Sequence, residues 1–336
     1  MKYVTRKRIL QFSSARRSRK WLKLIKFKRF DNLSLYKFLK IFTHNIEEDE
    51  IMDRANGVSY NFILAIFPTI IFLFTLIPYI STYFPDITTV SIMEFLGELM
   101  PPSMYDVVST TVIDILDNQR GGLLTFGFLF ALYLATNGMM ALMRSFNACY
   151  RTVEKRSAIK MRLVAIGLTL MLATVLFLAV ILLVVGQVVI NYVTENISEF
   201  SHLDLDNYTI YFILFLRFFI IFIVFFFTVS AIYYFGPAVH YNWSFFSIGS
   251  LLATLAGLGI SYGFSYYVTN FGSYNKVYGS IGALIALMVW IQLLTTVLLY
   301  GYEINASLHY GTKMQAIEGF NKNKKLESFR KEKELR

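Results

Sequence analysis

Long apolar runs separated by short polar stretches set the pattern of this chain. Six runs stand out, at about 58–80, 123–143, 163–190, 208–234, 245–269 and 279–301. Each is about 20 residues or longer, the length an α-helix needs to cross the hydrocarbon of a bilayer. A buried strand would end much sooner, and the short alternating segments of a membrane β-barrel are absent from the sequence. Inside hydrocarbon the backbone N–H and C=O groups find no water, so spans of this kind close their hydrogen bonds within a helix. The pattern predicts an all-α, polytopic membrane protein with six transmembrane helices.

The intervening stretches carry patterns of their own. In "SLYKFLKIFTHNI" (34–46), Leu35, Phe38, Leu39, Phe42 and Ile46 fall on one helical face. This predicts an amphipathic helix lying in the membrane interface. Segment 91–119 repeats the device: Ile92, Phe95, Leu96 and Leu99 precede Pro101–Pro102, and Val108, Val112, Ile115 and Leu116 follow. Two short amphipathic helices are expected there. Pro68 and Pro78 inside the first run each remove a backbone donor and should kink the helix. In the fifth run Gly249, Ala253, Gly257, Ser261 and Ser265 recur every fourth residue. Such a ladder lets helix backbones approach closely in lipid, within one chain or between chains. Gly279, Gly282, Ala283 and Ala286 continue it in the sixth run, which predicts a tight hairpin of the last two spans.

Composition supports the class and charge adds an orientation. Of the 336 residues 56% are hydrophobic and 16% charged, against about a quarter charged in soluble domains. Residues 1–30 hold twelve Lys/Arg and no acid, without the apolar core of a cleavable signal peptide. Loop 144–162 adds Arg144, Arg151, Lys155, Arg156, Lys160 and Arg162, and the tail from 311 eight more basic residues. The alternate loops oppose them: 81–122 has six acids against Arg120, and 192–207 has Glu195, Glu199, Asp204 and Asp206 with no base. With six spans, one side collects 29 basic residues and the other two. The positive-inside rule then places both termini in the cytoplasm. The chain divides into a basic segment (1–33), a six-helix domain (34–310) and a charged tail (311–336). The basic amino terminus, just ahead of a membrane helix, suits anionic lipid headgroups better than nucleic acid. The single cysteine, Cys149, excludes an intrachain disulfide.

Candidate chemistry is sparse. The four histidines are scattered, and no metalloprotease, redox, nucleophile-elbow or P-loop motif occurs. No catalytic residue, metal site or cofactor is assigned. The acids of 47–53 are read as a solvated face rather than a Mg²⁺ site. The polar residues inside the spans carry more information. Arg217 lies about nine residues, or ~13 Å, from the outer end of its run. A lipid-facing Arg at the centre costs about 2.5–3.5 kcal/mol, so it is expected either to face a hydrated cavity and an anionic group such as a lipid phosphate, or to snorkel outward to headgroups or bond helix carbonyls. Asn137, Gln187 and Asn191 are the amides placed to join it. A second polar group is the outer turn in "YVTNFGSYNKVYGSIGAL" (267–284), where Asn270, Tyr274, Asn275 and Tyr278 can line a mouth and Gly272 and Gly279 permit the turn. At the inner end of the sixth run, beside Asn305, Glu303 can pair with Arg144 at the same depth, as a structural clasp or as a cytoplasmic gate.

Four stretches together resemble one family. "ANGVSYNFILAIFPTIIF" (55–72), "ALYLATNGMMALMRSFNACYRTVEKRS" (131–157), "NFGSYNKVYGSIGA" (270–283) and "LLYGYEINASLHYG" (298–311) are similar to the YihY/BrkB family of bacterial inner-membrane proteins. The resemblance spans about 35–310 and implies six transmembrane helices with cytoplasmic termini. It marks Tyr60, Pro68, Asn137, Arg144, Asn147, Tyr150, Asn270, Gly272, Tyr274, Asn275, Tyr278, Gly279, Glu303 and Asn305 as motif positions. Members are linked to serum resistance and envelope lipid traffic; an older ribonuclease BN label is regarded as a misassignment. The expectation is a protein that moves or handles a lipid or other anionic amphiphile. The alternatives are a non-transporting scaffold for envelope-assembly proteins and, third, a ribonuclease.

Overall fold

In the computed structural model, residues 13–80, 90, 93, 109, 113–114, 120–195, 207–238, 244–270 and 280–334 are described. Side chains along 13–18, 182–195, 207–214 and 321–334, and at single positions that include Arg217 and Asn270, lie outside the description. The expected amphipathic pair in 91–119 and the turn at 271–279 fall outside it as well.

Helix α1 (Ser13–Leu24) leads into a small antiparallel hairpin, β1 (Lys26–Phe27) and β2 (Leu33–Ser34), in which Phe27 pairs with Leu33. The hairpin turns through Asp31 and Asn32, both at positive φ (46° and 58°), a region short polar side chains tolerate. Helix α2 (Leu35–Glu48) follows, with the Ser34 hydroxyl accepting from the Lys37 N–H at its start. Helices α3 (Ile51–Ile80), α4 (Gly121–Cys149), α5 (Ala158–Glu195), α6 (Asn207–Phe235), α7 (Ile248–Asn270) and α8 (Ser280–Glu334) complete the chain. Each of these six contains a stretch long and apolar enough to cross a membrane. α3 remains helical through Pro68 and Pro78.

The six helices pack on one another in chain order, and α8 also reaches α4, where Tyr302 stacks on Phe146. α3 packs on α4, α4 on α5, α5 on α6, α6 on α7 and α7 on α8, and α8 returns to α3. The well-packed core lies toward the end that carries the basic loop 150–157. All six contribute: Val58, Leu142 and Phe146, Leu168, Tyr233, Ala253, and Leu299 with Tyr302. Farther along the same helices Phe126, Phe177, Phe218 and Tyr266 are exposed, as side chains that meet acyl tails are. α2 and the hairpin close the core from the basic end. Leu33 and Phe38 pack on Leu308, with Phe27 edge-on to Phe38.

The small-residue ladder has a definite partner. At Gly249 an added Cβ would run into the Gly301 carbonyl oxygen, and at Gly301 one would sit 2.6 Å from Ala253 Cβ. Higher up, Ser261 accepts from the Trp290 indole N–H at 3.2 Å. Here the ladder joins α7 to α8 of the same chain.

Candidate functional site

The last helix carries a polar stripe where its apolar run ends. Glu303 and Ser307, one turn apart, face α2; Asn305 faces α7. Glu303 is completely buried. Its Oε1 accepts from the Asn45 amide at 2.8 Å and from the Ser307 hydroxyl at 2.7 Å. Asn45 also reaches the Ser307 hydroxyl at 3.3 Å. Oε2 is buried with no oxygen or nitrogen donor on it; the Cys149 thiol lies alongside.

Asp49 stands one turn beyond Asn45, its N–H donating to the Asn45 carbonyl at 2.8 Å. The residue is 7% exposed, and Oδ2 is buried without a partner. Burial pushes its carboxyl above the usual carboxylate range, while Arg151 and Arg54 draw it back. The Arg54 guanidinium donates to the Asp49 backbone carbonyl at 2.6 Å, and Arg151 pairs with Glu48 instead. Segment 47–53 therefore departs from a wholly solvated acidic face: Glu48 is a surface ion-pair partner, and Asp49 is inside.

Asn305 holds the start of α7. Its Oδ1 accepts from the Gly249 N–H at 2.8 Å, one of the amides a helix leaves unpaired at its first turn, and its Nδ2 donates to Ser247 Oγ at 2.8 Å. Ser247 and Ser250 cap the same turn reciprocally: each hydroxyl accepts from the other's N–H at 3.1 Å. Beside this start lies a half-open pocket of about 390 Å³ between the hairpin and α8. Phe30, Ile248 and Leu308 give it apolar walls; Ser244, His309 and Lys313 give it polar ones.

A third polar cluster ties the basic loop to α6. α4 ends in a left-handed residue, Arg151 (φ 49°), with Thr152 N–H bonding to the Asn147 carbonyl and Arg151 N–H to that of Ala148. Asn147 Oδ1 accepts from the Ala238 N–H at 2.7 Å and its Nδ2 donates to Glu154. Arg156 grips Glu154 and donates to the carbonyls of Phe235 and Gly236, the open end of α6. These bonds hold the Glu154 carboxyl down at about 2, chiefly through Arg156.

Several expected residues take different roles. Glu303 does not meet Arg144, which is exposed; the clasp partner is Asn45, on a helix 258 residues away in sequence. Charge alone suggested an ion pair, whereas the buried acid is held by neutral donors. Asn137 accepts from Arg162 at 2.8 Å, and that guanidinium also takes Thr136 Oγ1 and lies over the Tyr133 ring. Its amide thus anchors α5 to α4. Arg217 lies on α6, Gln187 and Asn191 on α5, and Asn270 ends α7; their side chains are outside the described residues. So are Gly272, Tyr274, Asn275, Tyr278 and Gly279, and with them the expected shared cavity. Among the motif positions, Asn147, Tyr150 and Asn305 are all at the basic end, where Tyr150 stacks on Tyr310. Asn45 escaped sequence reasoning because its partners, Glu303 and Ser307, are distant in the chain.

Comparisons with known proteins extend the geometry. The family model described as "Virulence factor BrkB" matches residues 42–326. A Bacillus subtilis (strain 168) protein named as ribonuclease-like, YfkH, is 32% identical over 277 residues, 82% of this chain and 97% of that protein. A "UPF0761 membrane protein" of Alteromonas mediterranea is 25% identical over 80% of this chain and 86% of its own length. Another from Paraburkholderia xenovorans is 24% identical over 83% of this chain and 62% of its own length. No solved structure matches.

Proposed function

The chain belongs to the BrkB family of membrane proteins, and from that premise we propose that it handles an anionic amphiphile, a lipid or lipid-linked anion of the cell envelope. It does so in the bacterial inner membrane, with both termini cytoplasmic, as the 29-to-two split of basic residues supports.

The observation that carries this reading is the half-open pocket at the basic end. Its volume of about 390 Å³ falls in the range of small-ligand sites. Its walls match an amphiphile: apolar at Phe30, Ile248 and Leu308, with Lys313 and the Ser244 hydroxyl toward a headgroup. Asp31, also in the lining, favours a headgroup carrying a donor as well as a phosphate. Basic segments 1–33 and 311–336 concentrate anionic lipid near it by attraction worth about 1 kcal/mol per Lys or Arg at the surface. Arg217, on α6 with its side chain outside the described residues, is the second candidate for contact with the anion.

The test is reconstitution in liposomes containing a fluorescent anionic lipid. Purified protein should accelerate lipid passage between leaflets, and Lys313→Glu and Arg217→Ala should each slow it. Passage equal to that of protein-free liposomes would overturn transport and leave the scaffold, which capture of envelope-assembly proteins would then support. The ribonuclease named for the Bacillus relative would need RNA cleavage by purified protein, lost in Glu47→Gln, Glu48→Gln and Asp49→Asn. Among the described residues no three His, Cys, Asp or Glu gather as a metal site.

A further inference from the structure

We infer that Asp49 and Glu303 form a proton-binding site that locks α2 onto α8. The observation is two buried carboxyl groups, neither of them in an ion pair among the described residues, with Arg54 and Arg151 near Asp49 alone. Glu303 is fully buried and Asp49 is 7% exposed. Each keeps one buried oxygen, Oε2 and Oδ2, with no N–H or O–H donor on it, and the weak donor beside Glu303 is the Cys149 thiol. Asp49 stands one helical turn beyond Asn45, whose amide bonds Glu303, and the Cys149 thiol lies by Glu303.

The surroundings define what is missing. From α2 come His44 and Glu48, paired with each other at 3.3 Å at the surface. From α3 come Asp53 and Arg54, the latter spent on the Asp49 backbone carbonyl. From the end of α4 come Cys149, Tyr150 and Arg151, the last bound to Glu48. From α8 come Tyr302, His309 and Tyr310. Among the described residues no ion pair includes Asp49 or Glu303. Both as carboxylates would place two like charges in a dry pocket with neutral donors on one oxygen only. Burying an unpaired charge is far more costly than neutralising it, and neighbouring carboxyls commonly share one proton for that reason.

The proton therefore resides on the pair, and Glu303 Oε1 remains free to accept from Asn45 and Ser307 while Oε2 carries hydrogen. Asp49, the member with surface contact, is the port to the aqueous side. Losing the proton leaves a second negative charge that water must solvate, and water enters by parting α2 from α8. The site gives a chain with no nucleotide-binding motif a route to sense or use a proton gradient. It does not rest on the amphiphile reading, and its test measures protons, not flux.

The experiment uses the full-length protein in lipid nanodiscs. Infrared spectra of protein grown with heavy-carbon glutamate should show a protonated carboxyl band near neutral pH that shifts with the label and is lost as pH rises. Hydrogen exchange, corrected for intrinsic rates, should show α2 losing protection over the same interval. Glu303→Gln, which keeps a donor and an acceptor, should hold α2 protected throughout; Asp49→Asn should move the midpoint. The inference is overturned by absence of a glutamate-derived band, by an unchanged exchange profile in Glu303→Gln, or by a band that sodium or magnesium removes at fixed pH, which would mark a metal-cation site. Should Glu303→Gln fail to fold, the labelled wild-type spectrum decides alone.

Discussion

Adding one methyl group at either of two glycines on α7 should have opposite consequences. At Gly249 the new Cβ would collide with the Gly301 carbonyl oxygen and stand 2.7 Å from the Asn305 side chain. Both obstacles are fixed: one is helix backbone, and the other caps the first turn of α7. Overpacking a close contact costs about 1–3 kcal/mol. Displacing Asn305 adds the loss of a hydrogen bond, about 0.5–1.5 kcal/mol. Gly249→Ala should therefore destabilise by about 2–4 kcal/mol. At Gly257, two turns on, the nearest atom to a new Cβ is Leu294 Cδ2 at 3.8 Å, an ordinary contact. Gly257→Ala should be neutral or stabilising, by up to about 1 kcal/mol of helix propensity. The assay is unfolding of purified protein in detergent, followed by loss of monodispersity with temperature. Asn305→Ala serves as a third arm, since it removes the cap without the clash and should fall between the two. Equal losses at the two glycines, or an unaffected Gly249→Ala, would refute the claim that α7 and α8 touch backbone to backbone at Gly249–Gly301.

Three other outcomes are expected. Glu154, held down at about 2 from its ordinary 4.5, contributes stability that is complete above 4.5 and lost as pH falls toward 2; limited proteolysis of loop 150–157 should rise over that window, and Glu154→Gln should flatten the response. Arg151 is left-handed at φ 49° and paired with Glu48. Arg151→Gly relieves backbone strain of about 1 kcal/mol while losing a surface pair worth about 0.2–1 kcal/mol, so its melting temperature should stay close to wild type, whereas Arg151→Ala keeps the strain and should melt lower. Asn45→Leu removes a donor from buried Glu303 and should cost about 1–3 kcal/mol, with increased exchange confined to α2.

Different parts of the molecule were legible in the sequence to different degrees, for physical reasons. Spans show themselves because a helix in hydrocarbon must be apolar nearly all round, a signal contained in each segment. Their ends are obscure because helices outrun the apolar window where polar side chains find partners. α3 begins at Ile51 rather than 58, with Asp53 and Arg54 in its first turn, and α8 runs past 301 through Glu303 to Glu334. The ladder on α7 was readable from spacing, but its counterpart Gly301 was not, since one glycine makes no pattern. The amphipathic stretch at 34–46 forms α2, yet the residue that attaches it, Asn45, looks like an ordinary surface polar until α8 is laid beside it. Asn137 shows the converse. An amide within a span suggests a watery interior, but an Arg four positions into the next helix takes its oxygen.

Five of the helix joints are between successive helices linked by the chain, whereas α8 meets α3 and α4 without such a link. α2 bridges the joint of α8 with α3: it is bonded to α8 through Asn45 and runs into α3 across Asp49 and Glu50. It works as the tongue of a buckle. Take the tongue away and that seam rests on direct contacts alone, such as the Gln292 amide donating to Asn56 between α8 and α3 at 2.7 Å.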